Sequence, residues 1–325
     1  MTGPGLYLFT GKGGAGKTTC AAAFALDLAR GGRRVRLASL DPAHNLGDVL
    51  DVPLGATPRS VADGLSAVEV DLAARARARI RQTRELLRRR YRYLSVASLD
   101  SLVDLLGDAP GTEEQAGAEA LRELATAADA AGEILVVDLP PSGQAWRLLA
   151  LPGRTARWCE SLLGLRRRLL ERRGTLHHVL GDATPARDAD GAPLPGDPER
   201  DPVTATLRRL REHHAGLAAT LADPDGARIV AVTLPERLSL LETRRLADHL
   251  AGAGLRIAAL VLNRAGTATG EAGAPARSVL DPDPGLPPVA VLPALPEGPR
   301  GTEALARWGK RLRGLRGWDH RTPNR

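Results

Sequence analysis

The sequence predicts an α/β fold: a mostly parallel sheet flanked by helices, with a helical subdomain covering one end. Three observations predict it. Short apolar runs of strand length recur along the chain, segments with helical spacing stand between them, and a glycine-rich turn joins the first run to the first helix. Parallel neighbours need a long crossover, so strands that alternate with helices read as one parallel sheet. At 325 residues the chain has ample core for a single large α/β domain, expected over 1–316, with the helical subdomain drawn from 74–130 and 154–221 and a tail at 317–325. Aromatic residues make up only 3% of the chain, so Leu, Ala and Val must do the packing.

Leu6 to Thr10 has the length and apolar content of a buried parallel strand. Gly11 to Thr18 then matches G-x-x-x-x-G-K-[ST] in full, through Gly11, Lys12, Gly13, Gly14, Ala15, Gly16, Lys17 and Thr18. In such a loop the backbone N–H groups and the following helix N-terminus attract phosphate, and side chains in place of the glycines would block close approach. Lys17 would meet the β- and γ-phosphates and the Thr18 hydroxyl would ligate Mg²⁺. The alternative is a flexible glycine-rich turn before an ordinary helix. Lysine usage argues against it. All but three of the 45 basic residues are arginine, and two of the three lysines, Lys12 and Lys17, lie in this loop. A compact ammonium is kept where a planar fork would not fit.

Val35 to Asp41 alternates as a second strand and ends in an acid. There Asp41 could orient a water near a γ-phosphate, or cap the turn before Pro42. Leu72 to Leu94 places Leu72, Ala76, Ile80, Thr83, Leu87, Tyr91 and Leu94 on one helical face, with arginines on the rest, either facing an anion or simply solvated. Thr112 reads as the cap of the next helix, with Glu113 and Glu114 suiting its dipole. Glu133 to Pro140 is the clearest buried strand, and its four apolar residues followed by Asp138 form a Walker B pattern in which the carboxylate reaches Mg²⁺ through water; the alternative is a turn cap. Pro141 to Gln144 is a loop, and Arg154 to Arg173 is a second basic helical pattern. His177-His178 and His213-His214 are adjacent pairs whose side chains would point apart on a helix, unlike a metal site.

Residues 181–202 read as a surface loop, Thr204 to Leu221 as a helix and Arg228 to Leu234 as a strand. Ser239 should cap the helix that follows, with Glu242 at the capping-box position. Ile257 to Arg264 is a further buried strand bearing Asn263, whose amide offers a donor and an acceptor. Val289 to Pro296 is the last strand, and Arg300 opens a final basic helix.

The formal net charge of +7 favours acidic partners or reflects an arginine-rich coding bias. Cys20 and Cys159 belong to no metal spacing and read as small core residues of a reducing cytosol. No run of 18 apolar residues occurs and the phosphate loop starts at residue 11, so a cytoplasmic protein without signal peptide or membrane span is expected, with peripheral membrane contact left open.

Five motifs in order resemble one family over nearly the whole chain. Lys12-Gly-Gly-x-Gly-Lys17-Thr18-Thr19 is similar to the deviant loop of the ArsA, ParA/MinD and nitrogenase iron-protein relatives. Asp41-Pro-Ala-His-Asn-Leu-Gly-Asp48 resembles the switch I segment of the arsenite-pump and tail-anchored-protein targeting ATPases. Pro110-Gly111 with Glu114, Asp138 to Pro152, and Pro235 to Arg245 match the same family, the last being absent from typical ParA proteins. The resemblance implies an ATP hydrolase with ATP and Mg²⁺ as ligands, working as a homodimer or a heterodimer with a paralogue. Lys12 would act in trans, Lys17 on phosphate, Thr19 on the α-phosphate, Asp41 as water activator and a residue of the metal region, His44 as a switch element, and Thr18 and Asp138 at the metal. Asn263 would read the base, with Pro293, Leu295 and Pro296 walling the adenine.

Three departures qualify the resemblance. Gln144 stands where the family carries histidine, the only methionine is Met1 although targeting ATPases use a methionine-rich groove, and no zinc-binding C-x-x-C is present. A zinc-clamped dimer and a cysteine-based metalloid site are therefore not expected. The expected function is an ArsA-type ATPase whose dimer closing powers a membrane-associated or client-handling process, with a membrane protein or hydrophobic client as partner. The alternatives are a ParA-like ATPase on DNA, the less favoured, and an ATP-binding scaffold with little hydrolysis.

Overall fold

The computed structural model describes residues 5–90, 111–180, 201–265, 289–295 and 297–315. Eight strands form one sheet in the order β3-β4-β2-β5-β1-β6-β7-β8. They are β1 (Leu6–Gly11), β2 (Val35–Ser39), β3 (Arg59–Ala62), β4 (Leu65–Glu69), β5 (Ile134–Asp138), β6 (Ala227–Thr233), β7 (Ile257–Ala265) and β8 (Val289–Pro293). Every pairing is parallel except β3 with β4, an antiparallel hairpin at the sheet edge. The α/β architecture expected from the sequence is the one observed.

β1 and β5 are buried throughout, as strands with neighbours on both sides should be. Helix α1 (Lys17–Arg30) crosses from β1 to β2 and buries its alanine-rich face on the sheet. Both phenylalanines of the chain meet there: the Phe24 ring lies 4.8 Å from Tyr7 and 5.5 Å from Phe9. So few rings suffice because Ala21, Ala22, Ala23 and Ala25 let the helix approach closely. Helix α2 (Leu46–Leu50) is a short helical turn within the segment after β2.

Helix α3 (Leu72–Arg90) occupies the expected amphipathic segment, with Leu72 and Ala76 buried. Two of its arginines are spent within the fold, Arg75 on Glu123 and Arg79 on Glu119 of α4 (Thr112–Ala131). Thr112 does not cap α4. The N-cap is Gly111 at φ 97, a left-handed conformation that glycine adopts without strain. Helix α5 (Ser142–Leu180) contains Pro152, and α6 (Pro202–Ala222) follows. Helix α7 (Arg237–Gly252) starts two residues before the expected cap, so Ser239 lies inside its first turn. The Ser239 hydroxyl instead accepts the Leu234 N–H at 3.1 Å and contacts Thr233 Oγ1 at 3.1 Å, tying the helix to the end of β6. Helix α8 (Gly301–Gly309) and a 3₁₀ turn (Lys310–Leu315) close the described chain.

Two compact units are present: residues 1–149 with 221–325, which contain the sheet, and residues 150–220. Within the second, Cys159 and Leu170 are buried, as is His214, while His213 is exposed, so these adjacent histidines point apart. Arg166 grips Asp201 with two N–H···O bonds of 2.9 and 3.0 Å, and Thr204 adds an N–H and an O–H to the same carboxylate. These bonds hold the Asp201 carboxyl well below the usual carboxylate range. The lowered value contributes stability above the unfolded-state pKa, and that contribution is lost as the pH falls into the acid range. Arg166→Leu should therefore cost about 2 kcal/mol at pH 7, from an Asp201 left buried without its cation. The cost should shrink toward pH 3, and urea unfolding at both values checks it. An equal cost at both values would mean that packing, not charge, carries the effect.

The expectations for residues 181–200, for the helix beyond Arg90, for the tail and for Pro296 fall outside the described residues, and so do the side chains of His177 and His178.

Candidate active site

Register brings the site together at the C-terminal edge of the sheet, where α/β folds put their chemistry. β1 pairs with β5 so that Phe9 stands opposite Asp138, and β2 pairs with β5 so that Ser39 also stands opposite Asp138. The loop leaves β1 at Gly11 and ends at Gly16, the N-cap of α1. Gly11 cannot be replaced: a Cβ there would lie 2.0 Å from the Val232 carbonyl oxygen of β6.

Four of the expected residues form one bonded chain. The Lys17 ammonium lies 3.4 Å from Asp41 Oδ2, and both side chains are nearly buried. Asp41 Oδ1 accepts the Ala43 N–H at 3.1 Å, and the Asp41 N–H donates to Ser39 Oγ at 3.3 Å. Ser39 Oγ in turn donates to Asp138 Oδ2 at 3.2 Å, and Thr18 Oγ1 donates to the same oxygen at 2.8 Å. Asp138 is fully buried, and its other oxygen, Oδ1, has no hydrogen-bond partner. Burial pushes the Asp138 carboxyl up to about 7, against the opposing pull of Lys17 and Thr18. Burial, and then the Asp138 charge, pushes the Cys20 thiol up to about 12, so it is an inert core group.

That arrangement fits a hard divalent cation. The donor set is a hydroxyl and a carboxylate, with one buried carboxylate oxygen unspent, and Mg²⁺ takes few protein ligands because it shares its shell with phosphate and water. Among the described residues no cluster of three His, Cys, Asp or Glu side chains forms a cage for a metal on its own.

The remaining expected residues lie apart from that chain. Lys12 is paired with Glu242 of α7 at 3.7 Å, both side chains about a third exposed. Asn263, near the end of β7, reaches the loop: its Nδ2 donates to the Ala15 carbonyl at 2.8 Å. Gly13 and Gly14 are exposed, Thr19 sits in the first turn of α1, Pro293 ends β8 opposite Ala265, and Leu295 is exposed just beyond. His44 adopts φ 48, and with Pro42, Pro140 and Gln144 it lines a cleft of about 530 Å³. Gln144 thus faces the segment that follows Asp41. Trp146, two residues on, stacks on His249 of α7 with ring centroids 4.5 Å apart.

Three participants were missed from the sequence: Ser39, Glu242 as the partner of Lys12, and Glu69, whose Oε1 accepts the Gly47 N–H at 3.0 Å. Ser39 alone left a signal, a hydroxyl at the end of a strand two residues before a candidate acid.

The comparisons with known proteins agree with this geometry. The family model for the anion-transporting ATPase (ArsA) matches residues 5–271. The chain is 31% identical over 278 residues to an arsenical pump-driving ATPase of Escherichia coli, covering 80% of this chain but 39% of that protein. It is 27% identical over 259 residues to a putative arsenical pump-driving ATPase of Aquifex aeolicus, covering 80% of this chain and 79% of that protein. It is also 29% identical over 263 residues to the ATPase GET3 of Mycosarcoma maydis, covering 79% and 72%. The chain thus spans well under half the length of its Escherichia coli relative. With most of its residues inside the family model and the motif side chains joined at one sheet edge, the chain belongs to the ArsA family of anion-transporting ATPases.

Proposed function

We propose that this chain is a Mg²⁺-dependent ATP hydrolase that closes as a dimer around nucleotide and couples that closure to a membrane-associated or client-handling process. The observation that carries the reading is the bonded run from Lys17 through Asp41 and Ser39 to Asp138 and Thr18. It joins a phosphate-loop lysine, a candidate water-orienting carboxylate and a metal-type oxygen pair at one sheet edge.

In this reading the backbone amides of Gly13 to Lys17 hold the β-phosphate, and the Lys17 ammonium bridges to the γ-phosphate. Thr18 and Asp138 would hold Mg²⁺, the carboxylate through water; bound there, the ion offsets charge on the β- and γ-oxygens. Asp41 accepts a hydrogen bond from a water on the far side of the γ-phosphate and orients its attack. Attack in line breaks the bond to the bridging oxygen and gives ADP and phosphate, with the proton of the water shared onto Asp41 or the phosphate. Lys12 leaves Glu242 and reaches the nucleotide of a second copy or of a paralogue. Turnover is expected to be slow, since Gln144 offers no imidazole. The partner is a membrane protein or a hydrophobic client. No helix among the described residues is long and apolar enough to cross a membrane.

Calorimetry with Mg²⁺ and ATP tests the binding step, and sedimentation with a non-hydrolysable analogue tests closure. Lys12→Ala should keep the heat of nucleotide uptake and weaken analogue-driven dimerisation by about tenfold or more, the worth of one charge-assisted contact. Equal dimerisation by both forms would remove Lys12 from the interface.

A further inference from the structure

Asn263 sits 248 positions from the loop in sequence and yet touches it directly. Its Nδ2 donates to the Ala15 carbonyl at 2.8 Å, while its Oδ1 accepts the Arg264 N–H at 2.9 Å. The two partners fix the amide's orientation, because a carbonyl demands the nitrogen and an N–H demands the oxygen. The residue is 9% exposed, and Arg264 beside it holds φ 54, a conformation uncommon for a side chain other than glycine. A Cβ on Gly16 would lie 2.4 Å from the same Nδ2, so the last glycine of the loop is also the residue over which Asn263 packs.

We propose that Asn263 is a positioning residue for the phosphate loop, acting through the Ala15–Gly16 peptide. The inference rests on the nucleotide reading above and deepens it. All peptides among the described residues are trans, and in a trans peptide the C=O and the N–H point in opposite directions. By holding the Ala15 oxygen on its own side, Asn263 fixes which way the Gly16 N–H faces. That N–H belongs to the run of amides whose alignment makes such a loop bind phosphate. A free Ala15–Gly16 peptide could rotate, since Gly16 at φ 90 tolerates backbone conformations that other residues do not. Asn263 removes that freedom before the ligand arrives, so the loop is organised in advance. The brace uses one N–H and one lone-pair direction of the amide and leaves the second N–H and the other lone pair to a base.

Tripolyphosphate, which has no base, separates loop positioning from any base contact. Displacement of a fluorescent ATP analogue by ATP, GTP and tripolyphosphate, each with Mg²⁺, is measured on the full chain and on Asn263→Ala. Loop positioning requires tripolyphosphate to weaken along with ATP and GTP, about tenfold for a lost hydrogen bond in a charged site. In steady state KM should rise by that factor while kcat stays within about twofold, since only ground-state and transition-state binding are lost together. Asn263→Asp keeps the shape but sets a carboxylate oxygen against the Ala15 carbonyl, and should weaken all three ligands at least as much. It also serves if the alanine form does not fold. Weakened ATP with unchanged tripolyphosphate would leave base reading alone and overturn the proposal, and unchanged affinity for all three would overturn it too. A wild-type chain that binds ATP keeps the nucleotide reading intact in either case, whereas one that binds neither ATP nor tripolyphosphate overturns both.

Discussion

Asp41→Asn should lower ATP turnover by about 10²–10³-fold, the usual scale for a positioned acid–base group, and leave ATP binding at least as tight. The two carboxylate oxygens have separate jobs in the structure. Oδ1 accepts the Ala43 N–H and shapes the turn into Pro42, whereas Oδ2 faces Lys17 at 3.4 Å. Asparagine retains a carbonyl oxygen for the Ala43 N–H, so the turn survives and the protein folds. What it loses is the charge that, in the proposed reading, orients water. Lys17, 5% exposed, then has no carboxylate to hold it, and its ammonium is freer to bind phosphate. Affinity should therefore hold or rise while hydrolysis falls, a pairing that a general folding defect does not produce. Phosphate release and calorimetry on the same preparation check it. Turnover near the wild-type rate would reduce Asp41 to the turn cap that its Oδ1 already is.

The same distinction between local and distant contacts explains what could be read in advance. β1, the loop and α1 were legible because each is a local pattern: an apolar run, a fixed glycine spacing, an alanine-rich helix. β5 was legible because four apolar residues lead into Asp138. The β3–β4 hairpin went unread although Asp63-Gly64 separates its strands by a two-residue turn. β3 lies at the sheet edge with Arg59 and Ser60 exposed, so burial imposes no apolar alternation on it. The two missed caps have another cause. Thr112 and Ser239 satisfy the cap pattern, but left-handed Gly111 starts one helix, and the other starts earlier because the Leu240 N–H already bonds the Glu236 carbonyl. In the site, Lys17, Thr18, Asp41 and Asp138 belong to motifs and were named. The Ser39 bridge, the Glu242 partner of Lys12 and the Asn263 brace depend on strands and helices far apart in sequence, and no local spacing encodes them.

Asp138→Asn should invert its effect on stability according to whether metal is bound, and this is the sharper test of the site. In the metal-free chain the carboxyl is raised from 3.8 to about 7 by burial, with Oδ1 unpartnered. A raised acid binds its proton more tightly folded than unfolded. Its contribution is thus fully present below the unfolded pKa and is lost as the pH climbs through 7. At 1.4 kcal/mol per pH unit the loss amounts to about 4 kcal/mol by pH 8, an upper bound that water entry and relaxation reduce. Asparagine carries no charge to desolvate, so metal-free Asp138→Asn should melt higher than the wild type at pH 8, and the gap should close toward pH 4. Saturating Mg²⁺ with ADP should reverse the order, because in the proposed reading the carboxylate would then face a cation, while the neutral amide lacks the charge to match it. The wild type should gain several degrees from Mg²⁺·ADP over ADP alone, and the variant should gain little. Hydrolysis by the variant should fall by at least about 10²-fold at a Mg²⁺ concentration that saturates the wild type, since the charge on the β- and γ-oxygens is no longer offset. Parallel melting curves with and without metal would mean that Asp138 only joins the ends of β2 and β5 through Ser39, and the assignment of the cation to Thr18 and Asp138 would have to be withdrawn.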